Sequence, residues 1–359
     1  EPGSMRYLGQ SATNSFTDLS TVGGYNYAYQ VRAFNSDYES ALSNCVDVSS
    51  TQICDIPPQF NGRQVALNNQ ANNTCGLTMT WPAASSHCPA DPDIQYKIYR
   101  DTQHNFIANG STLLTTVPSG TQFTDFSVVD GQPYYYRIKA VNGSNESDLS
   151  TELAGTAFGQ PSAVVGTIND DVDNSLLMNL SGTWSVSNER SFNGNLSYRS
   201  TFEGANTYTS NTCARMHSPL ISVPNAGSPS IDYRAWYEIE ANWDGVVVEI
   251  STDGGNSWQD LPPVGGYPSN FSSTQNPPIN GCGYPTTQGA FGGTSSGFDP
   301  VSHDLSAYAG QNVQIRWSMS TDPGYEEEGF YIDNIQYNNV HTPNTCSALV
   351  DLIFKDGFE

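Results

Sequence analysis

Carboxylate side chains are the groups in this sequence best suited to chemistry, and they gather near predicted strand ends. Hard cations such as calcium take roughly six to eight oxygen ligands from Asp, Glu, Asn and backbone carbonyl groups. We therefore predict a structural calcium ion that joins the first and last strands of the C-terminal part of the chain. The predicted ligands are Asp333, Asp171, Asp173, Glu240 and Asp244, with Asp170, Glu238 and Asp304 as further candidates.

Asp333 carries the most weight in this prediction, because it lies between Ile332 and Ile335 in an otherwise apolar strand. A carboxylate in such surroundings costs free energy unless it is paired, and a metal would pair it. The alternative is that Asp333 accepts hydrogen bonds from a neighbouring loop. The acidic run at 326–328 is more typical of a solvated loop than of a ligand set.

The sequence contains no recognisable catalytic motif. It has no His-Glu-x-x-His, the motif whose histidines hold a catalytic zinc ion. The stretch 293–297 reads Gly-Thr-Ser-Ser-Gly, but a nucleophilic serine needs a following helix, and a strand is predicted there instead. We predict that the chain is not an enzyme and that any catalytic domain lies upstream. The histidines show no ligand spacing: His87, His104, His217, His303 and His341.

Aromatic residues of the central region could form a platform for a sugar or a peptide. We predict Trp243, Trp258 and Tyr237 as ligand-binding residues, with Trp236 beside them. The alternative is that these side chains fill the core, as aromatic residues in strands commonly do.

Seven cysteines lie in loops rich in Asn, Ser and Thr, without a Cys-x-x-Cys pair. This pattern predicts disulfides formed outside the cytoplasm rather than a zinc site. Cys45 could have its partner upstream, and Cys346 is the candidate for the odd thiol. The predicted pairings are Cys75–Cys88, Cys213–Cys282 and Cys45–Cys54.

The elements that must position these groups are β-strands. Residues 246–250 alternate between two faces, a period of two that is typical of an extended strand. The Asp-Gly-Gly-Asn sequence at 253–256 predicts a reversal that returns Trp258 beside this strand. A turn at 244–245 predicts that the segment 231–239 pairs antiparallel with 246–250.

Composition indicates an all-β protein. Charged residues make up 14% of the chain, which carries 32 Gly, 21 Pro and 20 Tyr and shows no convincing helical periodicity. The net charge of -23 argues against nucleic acids and anionic membranes as partners and favours a cation. No signal peptide opens the sequence, and no apolar run is long enough for a membrane span.

An internal repeat indicates tandem domains. Phe16, Tyr27 and Tyr29 match Phe123, Tyr134 and Tyr136 at one constant offset of about a hundred residues. The repeated Tyr-x-Tyr-x-Val/Ile-x-Ala strand resembles the fibronectin type III family. The resemblance implies a complete β-sandwich at 56–156. At 6–50 it implies only the later strands of another, so a separate chain or an upstream segment would supply the rest.

The segment 160–340 resembles a different family. Its motifs Glu-Ile-Ser-x-Asp-Gly-Gly-x-x-Trp at 249–258 and Gly-Phe-Tyr-Ile-Asp-Asn-Ile at 329–335 are those of the MAM-like jelly-roll domain of immune inhibitor A-type secreted bacterial proteases. The resemblance implies a jelly-roll β-sandwich without the protease chemistry. Residues 341–359 are predicted to form a C-terminal tail, and its end, residues 351–359, resembles a short tail of secreted gammaproteobacterial proteins.

Together these features predict a non-catalytic accessory or adhesion region of a larger secreted bacterial protein, a protease by resemblance. Its partner would be an extracellular protein or polysaccharide surface, bound through a calcium-stabilised jelly roll. The alternative is a carbohydrate-binding module array of a secreted glycan-active enzyme.

Overall fold

The computed structural model of the chain describes residues 5–18, 20–50, 54–63, 65–69, 73–88, 93–271 and 280–347. These residues form strands and loops, with one 3-10 turn at Ser306–Tyr308 as the helical element, so the all-β prediction is confirmed. Within these ranges, no helix has the length and apolar character that crossing a bilayer requires. Most of the predicted tail, residues 348–359, lies outside the described residues.

The N-terminal segment forms a single two-stranded sheet. Strands β1 (Asn26–Tyr29) and β2 (Val46–Ser49) pair antiparallel, with Tyr27 opposite Val48. Within the described residues this sheet has no third strand, and apolar side chains such as Phe34 are exposed. A two-stranded sheet alone is marginally stable, so the prediction that another segment or chain completes this domain remains a prediction.

The second segment is a sandwich of two antiparallel sheets. One sheet has the order β3-β4-β7, and the other has the order β10-β8-β5-β6, with β9 attached to β8. Leu77, Met79 and Tyr136 point between them and are fully buried. This three-plus-four arrangement agrees with the fibronectin type III resemblance. Its strands are β3 (Ala66–Asn69), β4 (Leu77–Thr80), β5 (Gln95–Asp101), β6 (Leu113–Val117), β7 (Gln122–Asp125), β8 (Pro133–Asn142), β9 (Asn145–Glu146) and β10 (Leu153–Thr156).

The C-terminal segment is a larger two-layer sandwich. Its strands are β11 (Pro161–Asp170), β12 (Asn179–Leu180), β13 (Ser185–Ser187), β14 (Ser197–Arg199), β15 (Cys213–His217), β16 (Ile221–Ser222), β17 (Ser230–Ile239), β18 (Gly245–Ser251), β19 (Gln259–Asp260), β20 (Ser269–Asn270), β21 (Gly289–Ala290), β22 (Gly293–Thr294), β23 (Asp299–Asp304), β24 (Asn312–Ser320) and β25 (Gly329–Pro343). In one layer β25 pairs with β11, β14 and β17. Strand β14 also pairs with β13, and β17 also pairs with β22 and β23. The other layer has the order β12-β15-β24-β18-β19, and β16 pairs with both β24 and β25 to join the layers at one corner.

The core of this segment lies between the two layers. Alternate residues of β17, from Ile231 to Ile239, are buried, as the period of two requires. From the opposite layer β24 contributes Trp317, and β18 contributes Val246 and Val248. A second set of apolar groups, including Phe271, covers the outer side of β18, so every residue of that strand is buried.

Strands β17 and β18 do not form the predicted hairpin. Strand β17 pairs with β22, β23 and β25, whereas β18 pairs with β19 and β24 in the other layer. The turn at 240–244 therefore carries the chain across the sandwich. Gly245 fits this corner because a Cβ there would lie 2.6 Å from the Cβ of Ala290. The second predicted reversal, at 253–256, does return the chain to pair with β18.

Two of the predicted disulfide pairings are wrong. Cys88 joins Cys54 rather than Cys75, and Cys75 joins Cys346, while Cys45 is free and exposed. Closeness in sequence favours the wrong partners here, because the last strand returns the chain to the start of the second segment. Cys213 joins Cys282, the pair named from the sequence.

The second and third segments are tied to each other. Besides the Cys75–Cys346 disulfide, the backbone N–H of Ser347 donates to the carbonyl oxygen of Asn73 at 2.8 Å. Arg137 also forms an ion pair with Glu203 at 2.6 Å. Covalent, backbone and ionic contacts therefore join the two sandwiches.

Candidate cation site

Three acidic residues meet at one end of the C-terminal sandwich. Glu240 and Asp244 bound the turn between β17 and β18, and the backbone N–H of Asp244 donates to the carbonyl oxygen of Glu240 at 3.1 Å. Asp322 follows the end of β24. Because Gly245 lies opposite Ser320 in the β18–β24 pair, the chain brings Asp322 beside Asp244.

The carboxylates of these residues form one compact group. Oxygen atoms from Glu240, Asp244 and Asp322 lie within 4.8 Å of one another. Asp244 is 2% exposed and Asp322 is 6% exposed. Oδ1 of Asp244 accepts the backbone N–H of Asp322 at 2.7 Å, but Oδ2 of Asp244 and Oε2 of Glu240 are buried and accept no hydrogen bond. These two oxygens have therefore left water without gaining a partner, which costs free energy.

Electrostatics at the group favour a positive charge. Burial raises the pKa of Asp244 to about 7, and the charges of Asp322 and Glu240 add to this effect. The nearby Tyr208 hydroxyl acts in the opposite direction on that pKa, and it also lies 3.4 Å from the carbonyl oxygen of Tyr325. Burial, together with the charge of Asp322, also raises the pKa of Glu240. In the described part of the chain, no Lys or Arg forms an ion pair with any of the three acids.

This donor set suits a hard cation. Calcium binds oxygen ligands at about 2.3–2.6 Å, so two ligand oxygens across one ion lie roughly 5 Å apart or less. The three ligand oxygens, all within 4.8 Å of one another, meet that limit. A bound ion would satisfy the two unpartnered oxygens and neutralise the acids that repel one another.

The other predicted ligands lie elsewhere and have protein partners. Oδ2 of Asp333 accepts the backbone N–H groups of Phe192 at 2.7 Å and Asn193 at 3.0 Å. A neighbouring loop therefore supplies its hydrogen bonds, as in the alternative to a metal that the sequence left open. Asp173 accepts the N–H of Asn195, and Asp171 accepts that of Asn174. No ligand group within the described ranges contains Asp333, Asp173 or Asp171.

The remaining candidates are also engaged or separate. Asp170 is fully buried, and its carboxylate accepts the Tyr198 hydroxyl at 2.8 Å and the Leu177 N–H at 3.0 Å. Asp304 accepts the N–H of Ser306, and Glu238 lies in β17 opposite Thr294. A second grouping, Cys75 with Asp130 and Cys346, offers no thiolate because its cysteines form a disulfide.

Asp322 is the member that sequence reasoning missed. It opens an Asp-Pro-Gly turn directly after a strongly alternating strand. That turn signal could have marked it as a loop carboxylate at a strand end. Its pairing with Asp244 depends on the neighbour relation of β18 and β24, which the local pattern does not contain.

The three predicted aromatic residues do not form one common platform. Tyr237 is 8% exposed and stacks on Phe330 with ring centres 5.8 Å apart, so it belongs to the core and its prediction as a ligand-binding residue is wrong. Trp243 is 38% exposed, within the turn that carries Glu240 and Asp244. Trp258 is half-buried on the outer face of β24, under the guanidinium of Arg316.

Comparison with known proteins identifies the segment that holds the site. Residues 194–343 match the family described as "Immune inhibitor A-like, MAM domain", which confirms the resemblance noted in the sequence. The fold of this segment is a two-layer β-sandwich, and the match lies within it.

Two curated relatives share part of the chain. Bacillopeptidase F of Bacillus subtilis (strain 168) is 23% identical over 128 residues, which are 36% of this chain and 7% of that protein. The pre-pro-metalloprotease PrtV of Vibrio cholerae serotype O1 is 30% identical over 122 residues, 34% of this chain and 11% of that protein. The match thus spans only a small part of each relative. Among solved structures, the FN1–FN3 domains of chicken CNTN1 align with 88% of this chain and 77% of that one, at 12% identity and a TM-score of 0.28.

Proposed function

We propose that this chain is a non-catalytic accessory region of a larger secreted bacterial protein, a protease by its relatives, and that it binds an extracellular surface, substrate or partner. The observation that carries the proposal is the match of residues 194–343 to a domain shared with proteins named as a peptidase and a metalloprotease. The shared region is 7% of the first relative and 11% of the second. Most of each relative therefore lies outside it and leaves room for a catalytic domain.

A calcium ion held by Glu240, Asp244 and Asp322 stabilises this region. Strands β11 and β25, the first and last of the domain, already pair through their backbones and need no metal to join them. The ion instead fastens the sheet-crossing turn before β18 to the end of β24. The free energy of unfolding therefore rises with calcium, by about 2.7 kcal/mol at a hundred times the dissociation constant.

The cation role is tested by thermal unfolding of the whole chain with chelator and with added calcium. We expect calcium to raise the melting temperature of the wild type and to have little effect on Asp322→Asn and Glu240→Gln. Asp148→Asn is the matched control, because it removes one negative charge at an exposed position outside the group. An unchanged melting temperature of the wild type on chelation and on calcium addition would disprove the cation role.

The accessory role is tested separately by activity. Incubation of the purified chain with casein and with a panel of polysaccharides is expected to release no product. Turnover that co-purifies with the chain through two independent chromatographic steps would refute the non-catalytic assignment.

A further inference from the structure

An open groove on the outer face of the second layer lies apart from the cation site. It has a volume of about 400 Å³ and is lined by the outward side chains of β15 and β24 together with the turn after β18. Arg215 and His217 extend from β15, Gln314 and Arg316 from β24, and Trp258 closes one side.

Arg215 is the unusual residue of this groove. Arg215 has no ion-pair partner within the residues that the structure describes, although the chain has 36 acidic residues against 13 basic ones. Its Nε atom is buried without a hydrogen-bond partner. A guanidinium that has no ion-pair partner and borders an open groove is available to an anion, and its planar geometry suits a carboxylate.

The neighbouring Arg316 is neutralised by an acidic partner and therefore adds no net charge to the groove. Nε and Nη2 of Arg316 donate to the two carboxylate oxygens of Glu249 at 2.6 and 3.0 Å. Glu249 also accepts the hydroxyls of Tyr284 and Ser318 at 2.7 and 2.8 Å, so its oxygens are fully engaged. The net charge of the groove is thus the single positive charge of Arg215.

The other polar groups of the groove are neutral hydrogen-bonding groups. Burial, followed by the charges of Arg316 and Arg215, lowers the pKa of His217 to about 4, so the imidazole is uncharged at neutral pH. The amide nitrogen of Gln314 donates to the carbonyl oxygen of Ser218 at 3.1 Å, which leaves its carbonyl oxygen as an acceptor. One carboxylate-binding cation beside neutral donors and acceptors suits a ligand with one carboxylate and several hydroxyl groups.

We propose that this groove binds an acidic sugar unit, a uronate, with its carboxylate on the Arg215 guanidinium, its hydroxyls on His217 and Gln314, and its ring beside Trp258, one face of which is already covered by the Arg316 guanidinium. The inference deepens the proposed surface-binding role and rests on it. The extracellular surface that the chain binds would then be a polysaccharide that carries uronates. An acidic peptide also offers carboxylates, but its many backbone amides would find few partners on side chains alone.

The test is calorimetric titration of the intact chain, with calcium present, with a trigalacturonate and a trimannuronate; a bridging cation would not depend on Arg215, so the Arg215 variant separates the two modes. We expect binding of at least one of the two trimers. The methyl ester of the bound trimer keeps its ring and hydroxyls but loses the charge, and should bind at least tenfold more weakly. Arg215→Gln should show the same loss of affinity with an unchanged melting temperature, because Arg215 pairs with no carboxylate that the substitution would leave unpaired.

Arg234→Gln is the matched control. Arg234 also lacks a carboxylate partner within the described ranges, and it lies over the Phe192 ring in the other layer. Its substitution should leave uronate affinity within about twofold. Equal binding of the acid and its ester, full affinity in Arg215→Gln, preference for a glutamate-rich peptide, or no binding of either uronate would each overturn the proposal. None of these outcomes bears on the calcium-dependent melting, so the cation role is judged independently.

Discussion

The backbone N–H of Asp322 donates to Oδ1 of Asp244 at 2.7 Å, a contact between residues 78 positions apart in the chain. This hydrogen bond joins the turn that crosses the sandwich to the end of the strand beside β18. It holds two buried acids together, and Glu240 adds a third. Acids do not gather in this way without a compensating charge unless some of them are protonated.

We predict that stabilisation by calcium depends on pH through Asp244. Its pKa of about 7 in the folded protein lies above the usual 3.8, so the folded state binds this proton more tightly than the unfolded state. Without a cation, this group's contribution to stability is complete below about pH 4 and is lost as the pH rises through 7. Calcium requires the ionised form, so the increase in melting temperature with calcium should be larger at pH 8 than at pH 5.5.

The measurement is the difference between melts with calcium and with chelator at each pH. The difference removes the contribution of Asp170, whose pKa is also about 7 because it is buried. Asp244→Asn should show little calcium effect at either pH. An equal calcium effect at pH 5.5 and pH 8 in the wild type would contradict the assignment of Asp244.

Glu249→Gln should strongly destabilise the C-terminal domain. Burial alone would raise the pKa of Glu249, but hydrogen bonds from Arg316, Tyr284 and Ser318 hold it below its usual value. The substitution leaves Arg316 as an uncompensated charge at a largely buried position, which costs about 3 kcal/mol. Denaturant unfolding measures this loss.

The control for Glu249→Gln is Glu39→Gln, which removes an exposed ion pair with Arg32. Exposed pairs contribute about 1 kcal/mol or less. Equal losses of unfolding free energy in both variants would show that the buried Glu249–Arg316 pair stabilises the protein no more than an exposed pair does.

Replacing Cys75 and Cys346 together by alanine should lower stability by about 2–4 kcal/mol, because the disulfide closes a loop across the second and third segments. We also expect faster cleavage near residues 344–347 in limited proteolysis, since the backbone contacts there lose their covalent support. Cys45→Ser is the control and should change neither property, because Cys45 is free and exposed. Resistance to proteolysis equal to that of the wild type would refute the proposed coupling of the two sandwiches.

Tyr237→Ala and Trp243→Ala should differ sharply in stability. Tyr237 lies between Phe330 and Phe291 in the core, so its truncation should cost about 3–5 kcal/mol. Trp243 lies in an exposed turn, and its truncation should cost less than about 1 kcal/mol. Chemical denaturation of both variants checks this. A small loss for Tyr237→Ala would return that residue to the ligand-binding candidates.

Local features of the fold were predictable from the sequence. The alternation in β17 and β18, the Asp-Gly-Gly-Asn reversal and the domain motifs depend on neighbouring residues, and the structure bears out these strands and this reversal. Glu240 and Asp244 could be named as candidate cation ligands because both lie beside a recognisable turn, and their role as ligands stays a prediction.

Relations between distant residues required the tertiary structure. A turn between two strands can close a hairpin or cross a sandwich, and the residues of the turn at 240–244 do not distinguish these outcomes. The predicted pairing of β17 with β18 is wrong for this reason. The same limit hid Asp322, the Cys75–Cys346 disulfide and the loop that satisfies Asp333. The alternation of side chains is set by local backbone geometry, and the sequence therefore determines it. The choice of strand neighbours follows from burying whole faces against each other, and only the folded chain decides it.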